Sequence, residues 1–114
     1  MFPEITVTEL SEKLSSDDKF ILLDVREFDE LNYAKLTDSR LEITPMSQLA
    51  RTGTKALSES AQSMDATIYV MCHHGTRSAQ VTAWLAQQGW QNVFNVRGGI
   101  DEYARTIDQS IGFY

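Results

Sequence analysis

Apolar residues fall in short runs, and the stretches between them carry helical spacing. Phe20-Ile21-Leu22-Leu23-Asp24-Val25 is a nearly continuous apolar run. Such a run suits a strand buried on both faces, as in a parallel sheet covered by helices. Ala66-Thr67-Ile68-Tyr69-Val70-Met71-Cys72 is the most strand-like segment, rich in β-branched and aromatic residues that fit a central strand. Ile5-Thr6-Val7, Leu41 to Thr44 (ended by Pro45) and Asn92 to Val96 are shorter candidate strands. Thr8 is predicted to cap a first helix carrying Leu10 and Leu14. Arg26 to Tyr33 reads as a short helix or turn, and Met46 to Arg51 as a helix stopping before Gly53. From Arg77 to Gln88, Val81, Trp84 and Leu85 share a helix face, with Gly89 at the position that ends helices. Gly98-Gly99 turns into a last helix around Ile100, Tyr103, Ala104 and Ile107. Residues 52–66 hold little apolar content and predict a mobile, exposed stretch.

Strands thus alternate with helices from one end of the chain to the other. That order predicts an α/β fold: a mainly parallel sheet between helices on both faces. In such sheets reactive sites lie at the carboxyl ends of the strands. Cys72 stands there, after the best strand and before the best helix.

Composition narrows the setting. At 114 residues the chain has room for one domain, expected over 1–114. With 42% hydrophobic and 23% charged residues it is globular rather than disordered. A net charge of −6 argues against a nucleic-acid partner and makes a small anionic substrate depend on a local positive site. A single cysteine excludes an internal disulfide. The first residues, MFPEITVTELSEKL, lack the basic and apolar blocks of a signal peptide. No apolar run approaches the ~20 residues that span a bilayer. The expectation is a soluble protein of a reducing, cytoplasmic compartment.

The candidate chemistry sits in Cys72-His73-His74-Gly75-Thr76-Arg77-Ser78. Gly75 opens backbone conformations closed to other residues, so several N–H groups can turn toward one centre. The helix starting near Arg77 adds free N–H groups and the positive end of its dipole. Together these make an anion cradle with a cysteine at its mouth. Donors and the nearby Arg77 favour an exposed thiolate there, and a thiolate is a nucleophile. The plain alternative is a small buried hydrophobe, as free cysteine often is. His73 and His74 do not make a metal site, because adjacent residues rarely address one ion and no second Cys/His cluster completes a tetrahedron.

Cys-x-x-Gly-x-Arg-Ser after a strand, with Leu23-Asp24-Val25-Arg26-Glu27 upstream and Val96-Arg97-Gly98-Gly99-Ile100 downstream, resembles the single-domain rhodaneses. The resemblance implies a small three-layer α/β fold and sulfurtransfer without a cofactor. It assigns Cys72 as the carrier of a sulfane sulfur, taken as a persulfide from a small donor such as thiosulfate. An external thiol, a sulfur-acceptor protein or cyanide then receives it, since the chain has no second thiol. Main-chain N–H groups of residues 73–78 would stabilise the sulfur, while Arg77 binds an anionic donor or braces the loop. Asp24, Arg26 and Arg97 become supports, with an exposed ion pair as the plain alternative for Asp24 and Arg26. Where the family usually shows His-Ile-Pro-Gly-Ala, this chain has Ala34-Lys35-Leu36-Thr37-Asp38-Ser39, so the turn there must close differently.

Two other functions stay open. One is a rhodanese-type protein-binding or redox-sensing module that uses Cys72 little. The other is a dual-specificity phosphatase, a class that shares the fold but has a loop one residue longer. Six residues run from Cys72 to Arg77 inclusive, Ser78 holds the place where the longer loop has its arginine, and no aspartate acid follows.

Overall fold

Five strands form one sheet: β1 (Glu4–Ile5), β2 (Ile21–Asp24), β3 (Leu41–Ile43), β4 (Thr67–Met71) and β5 (Asn92–Val96). Their order is β1-β5-β4-β2-β3, and every pairing is parallel. The helices are α1 (Val7–Leu14), α2 (Met46–Thr52), α3 (Thr76–Gln87) and α4 (Gly99–Thr106), joined by short 3-10 turns. This computed structural model describes residues 3–114; Met1 and Phe2, part of the domain expected over 1–114, lie outside the described residues.

The alternation of side chains along β2 and β4 builds the three layers. Ile21, Leu23, Ile68 and Val70 face one way and pack with Leu49 of α2 and with Val81 and Leu85 of α3. Leu22, Tyr69 and Met71 face the other way and pack with Leu10 of α1 and with Ile100 and Tyr103 of α4. Strands buried on both faces need continuous apolar runs, which is what β2 and β4 carry. Removing a wholly buried side chain such as Leu23 costs about 2–5 kcal/mol.

Two sequence expectations change, and the turn at 34–39 closes without the family's proline and glycine, as its residues implied. The first strand ends at Ile5 and Val7 enters the helix, because Thr6, not Thr8, is the cap. Thr6 Oγ1 accepts the Glu9 N–H at 3.1 Å and the Glu9 carboxylate accepts the Thr6 N–H at 2.9 Å, a reciprocal cap. Residues 52–66 are pinned rather than loose. Leu57 and Ala61 are buried in the core, and Trp90 Nε1 donates to the Ala61 carbonyl at 2.9 Å. Two apolar anchors and one indole bond secure a stretch whose overall polarity had suggested exposure. In 34–39, Ala34 and Leu36 are buried, and Asp38 closes the turn without proline or glycine by accepting from the Arg40 N–H and guanidinium. The same guanidinium donates to the Leu14 carbonyl at 2.9 Å, tying the turn to the end of α1.

Candidate active site

β4 delivers Cys72 to the carboxyl edge of the sheet, beside the end of β2, where Asp24 pairs in register with Met71. The chain then curls through Gly75, whose φ of 98° is left-handed, and enters α3 at Thr76. The curl turns two amides onto the sulfur: Gly75 N–H at 3.2 Å and Ser78 N–H at 3.3 Å from Cys72 Sγ. Outward-facing carbonyls are the counterpart. Cys72 O accepts from Ile100 N–H at 2.9 Å and His73 O from Asp101 N–H at 3.0 Å, so the first turn of α4 holds the back of the loop. Gly99 makes this approach possible: a Cβ there would lie 2.5 Å from both oxygens. Its role therefore exceeds that of a turn residue. Ser78 and Asn95 lock the far end, the buried Ser78 hydroxyl donating to Asn95 Oδ1 at 2.5 Å.

Cys72 is wholly buried, not exposed as the sequence suggested. Its strand runs through the middle of the sheet, and the side chain joins the core cluster beneath the loop. Of the six amides expected around it, those of Gly75 and Ser78 donate to the sulfur.

Two arginine–carboxylate pairs stand next to the loop. Asp24 and Arg26 are both buried, so the alternative of an exposed pair is overturned. Arg26 Nη2 donates to Asp24 Oδ2 at 2.8 Å, and Arg26 Nε and N–H also reach the same carboxylate. Burial alone would pull the Arg26 guanidinium down; the hydrogen bonds and charge of Asp24 outweigh it and hold the cation. Arg77 forms the second pair, with Glu30, through two bonds of 2.7 and 2.8 Å. Arg77 Nη atoms hold the Glu30 carboxyl down to about 2 against the opposing effect of burial, helped by the Glu27 N–H and the Tyr114 hydroxyl. The Arg77 guanidinium is correspondingly raised, first by the bonds to Glu30.

The remaining loop residues differ in role. The His73 ring lies between His74, tilted by 30° with centroids 3.8 Å apart, and Tyr114, stacked at 3.7 Å and 7°. Burial, then the neighbouring His74, pushes the His73 imidazole down, toward its neutral form. His74 is exposed, with Nδ1 3.7 Å from Asp101 Oδ2. His73, His74 and Asp101 each bring one ligand atom within 4.8 Å of the others, one ligand fewer than a closed tetrahedral metal site takes. Thr76 is exposed at the start of α3. Arg97, expected to brace the loop, instead extends along the sheet edge to Glu4 Oε1 at 3.1 Å, because β1 places that carboxylate beside it. Sequence reasoning missed Glu30, Asn95, Asp101 and Tyr114. Glu30 could have been found as the acidic residue one helical turn after Arg26; nothing local marks Tyr114.

A family model described as Rhodanese-like domain matches residues 6–106. The chain belongs to the rhodanese-like family. Among relatives, it is 35% identical over 105 residues to a protein named Sulfurtransferase from Allochromatium vinosum, covering 92% of this chain and 91% of that one. It is 34% identical over 114 residues to Rhodanese-like/PpiC domain-containing protein 12, chloroplastic, from Arabidopsis thaliana, covering 97% of this chain but 37% of that longer protein. A crystal structure from Staphylococcus saprophyticus superposes with a TM-score of 0.74 at 32% identity, covering 93% of this chain and 97% of that one. The rhodanese-like fold expected from the motifs, an all-parallel five-stranded sheet with four helices, is the one observed. Among the described residues, no helix is long and apolar enough to cross a membrane.

Proposed function

We propose that this rhodanese-like chain, acting as one unit over 1–114, carries sulfane sulfur on Cys72. The observation that carries the reading is the pair of main-chain donors, Gly75 and Ser78, aimed at Cys72 Sγ from the head of α3. Amide donors and the positive end of a helix favour negative charge on that sulfur, whether thiolate or persulfide. With thiosulfate as donor, the Cys72 thiolate attacks the outer sulfur, the S–S bond of thiosulfate breaks, and sulfite leaves with the electron pair. Cys72 is left as a persulfide anion. A nucleophile such as cyanide or a thiolate then attacks the outer sulfur of the persulfide and takes it, and Cys72 departs as the thiolate. Charge and sulfur balance at both steps, and the chain needs no cofactor or metal for either. The donors act through the main chain, so the identities of His73, His74 and Thr76 affect the chemistry less than the path of the loop.

Asp24 and Arg26 serve as a buried pillar under the loop, and Glu30 with Arg77 fixes its outer edge. Arg77 braces the loop in this reading, because both guanidinium nitrogens that face outward are taken by Glu30. The same commitment argues against phosphate hydrolysis, which would need that fork for the substrate. The burial of Cys72 favours a second reading, a module that binds a protein partner and turns over little. A thiosulfate:cyanide assay with wild type and Cys72→Ser separates the two. Thiocyanate formation that vanishes in the variant supports sulfur transfer. Equal background in both proteins would leave partner binding as the function.

A further inference from the structure

The segment after α4 doubles back over the loop. Its 3-10 turn, Gln109–Ile111, docks on the atypical stretch: the Lys35 N–H donates to the Ile111 carbonyl at 3.2 Å. Gly112 presses against the chain at Tyr33, where an added Cβ would come within 2.3 Å of the Tyr33 carbonyl oxygen, and its φ of 105° is left-handed. This docking delivers Tyr114 to the site. Its ring lies flat on His73 at 3.7 Å and 7°, with Tyr33 behind it at 5.5 Å. Its hydroxyl accepts from Arg26 Nη1 at 3.0 Å and donates to Glu30 Oε1 at 3.0 Å. Glu30 in turn holds Arg77. One residue therefore bridges the loop from its second position, His73, to the Glu30–Arg77 pair.

We infer that Tyr114 is a specificity-determining residue, forming the wall that restricts Cys72 to small sulfane donors of about the size of thiosulfate. This rests on the sulfur-carrier reading. The wall has three fixings: a flat stack, a hydroxyl shared by two buried or half-buried partners, and a strap seated on residues 33–35. Cys72 is wholly buried, and Tyr114 touches the loop that starts from it at His73 and, through Glu30, at Arg77. A compact reagent needs a small opening to meet the sulfur, whereas a persulfide borne on a large molecule needs the strap displaced.

The test is the alkylation of Cys72 by two reagents, iodoacetamide and a maleimide bearing a bulky aromatic group. Their rates read access to the sulfur without any sulfur transfer, so a failure here is distinct from a failure of the carrier reading. Tyr114→Ala should raise the maleimide rate relative to the iodoacetamide rate by roughly three- to tenfold, the factor an aromatic stack of this kind is worth. Tyr114→Phe keeps the ring and should leave the ratio near the wild-type value. Gly112→Ala unseats the strap without altering Tyr114 and should shift the ratio as Tyr114→Ala does; it carries the test if the alanine variant at 114 fails to fold. General loosening of the protein would speed both reagents alike and leave the ratio unchanged. An unchanged ratio in folded Tyr114→Ala, or in Gly112→Ala where the former does not fold, overturns the proposal.

Discussion

Two arginine–carboxylate pairs flank one loop, and they differ in depth. Asp24–Arg26 is sealed, with side-chain exposures of 1% and 0%. Glu30–Arg77 sits at the rim, at 16% and 34%. Both have bidentate geometry, yet burial gives them different work. A sealed pair cannot be half removed, because the survivor becomes an uncompensated charge in the core. It pins the backbone just past β2, where the Arg26 N–H also donates to the Asp24 carboxylate. A rim pair can be weakened in steps, because water can replace a lost partner. Tyr114 links the two, its hydroxyl touching Arg26 and Glu30. The inner pair thus holds the end of β2, and Tyr114 ties it to the outer pair at the rim.

The sharpest way to break this contrast is Asp24→Ala. It strands Arg26 and should cost about 3–5 kcal/mol in urea unfolding. A loss under ~1 kcal/mol, the value for an exposed pair, would erase the distinction between pillar and rim. Gly99→Ala tests the loop's back support. The left-handed φ of 63° and the 2.5 Å approach to two carbonyls predict a loss of roughly 2–3 kcal/mol and slower Cys72 chemistry. Retained activity and stability would mean that α4 does not hold the loop.

Glu30→Gln should cost less, about 1–2 kcal/mol, because Arg77 is partly exposed and solvent screens the pair. Its pH signature has a definite sign. The Glu30 carboxyl is held at about 2 in the folded protein against an ordinary 4.5. Its stabilisation is therefore complete above pH 4.5 and lost as pH falls from 4.5 toward 2. Wild type should lose this part of its stability across that window, and the Gln variant should lack it. Denaturation midpoints at several acid pH values would show parallel curves if the pair contributed nothing. Tyr114→Phe should be the mildest change, under ~1.5 kcal/mol for one hydroxyl with two partners. A larger loss would move Tyr114 from the rim to the pillar.

Much of the architecture was legible because β2 and β4 announce themselves. Apolar runs buried on both faces admit few other placements, and Cys72 followed as the residue between the best strand and the best helix. Thr6 was legible in principle through its Thr-x-x-Glu pattern, but the apolar Val7 drew the first strand too far. Residues 52–66 misled because two buried side chains, Leu57 and Ala61, are too few to show in a polar window. Burial of Cys72 was illegible because the same residue type serves as core filler and nucleophile. Glu30 and Tyr114 meet the loop across 47 and 41 positions of chain, counting Arg77 less Glu30 and Tyr114 less His73. Spacing along a sequence does not report such contacts. Arg97 was drawn to the loop by its motif, whereas the parallel pairing of β1 with β5 put Glu4 within its reach.

The central claim, that Cys72 carries sulfur, is tested most directly by intact-protein mass spectrometry after incubation with thiosulfate, then after cyanide, with Cys72→Ser in parallel. The account predicts a gain of one sulfur atom in wild type, lost on adding cyanide and never seen in the variant. A wild-type mass unchanged by thiosulfate and by a second sulfane donor, or the same gain in Cys72→Ser, would contradict it.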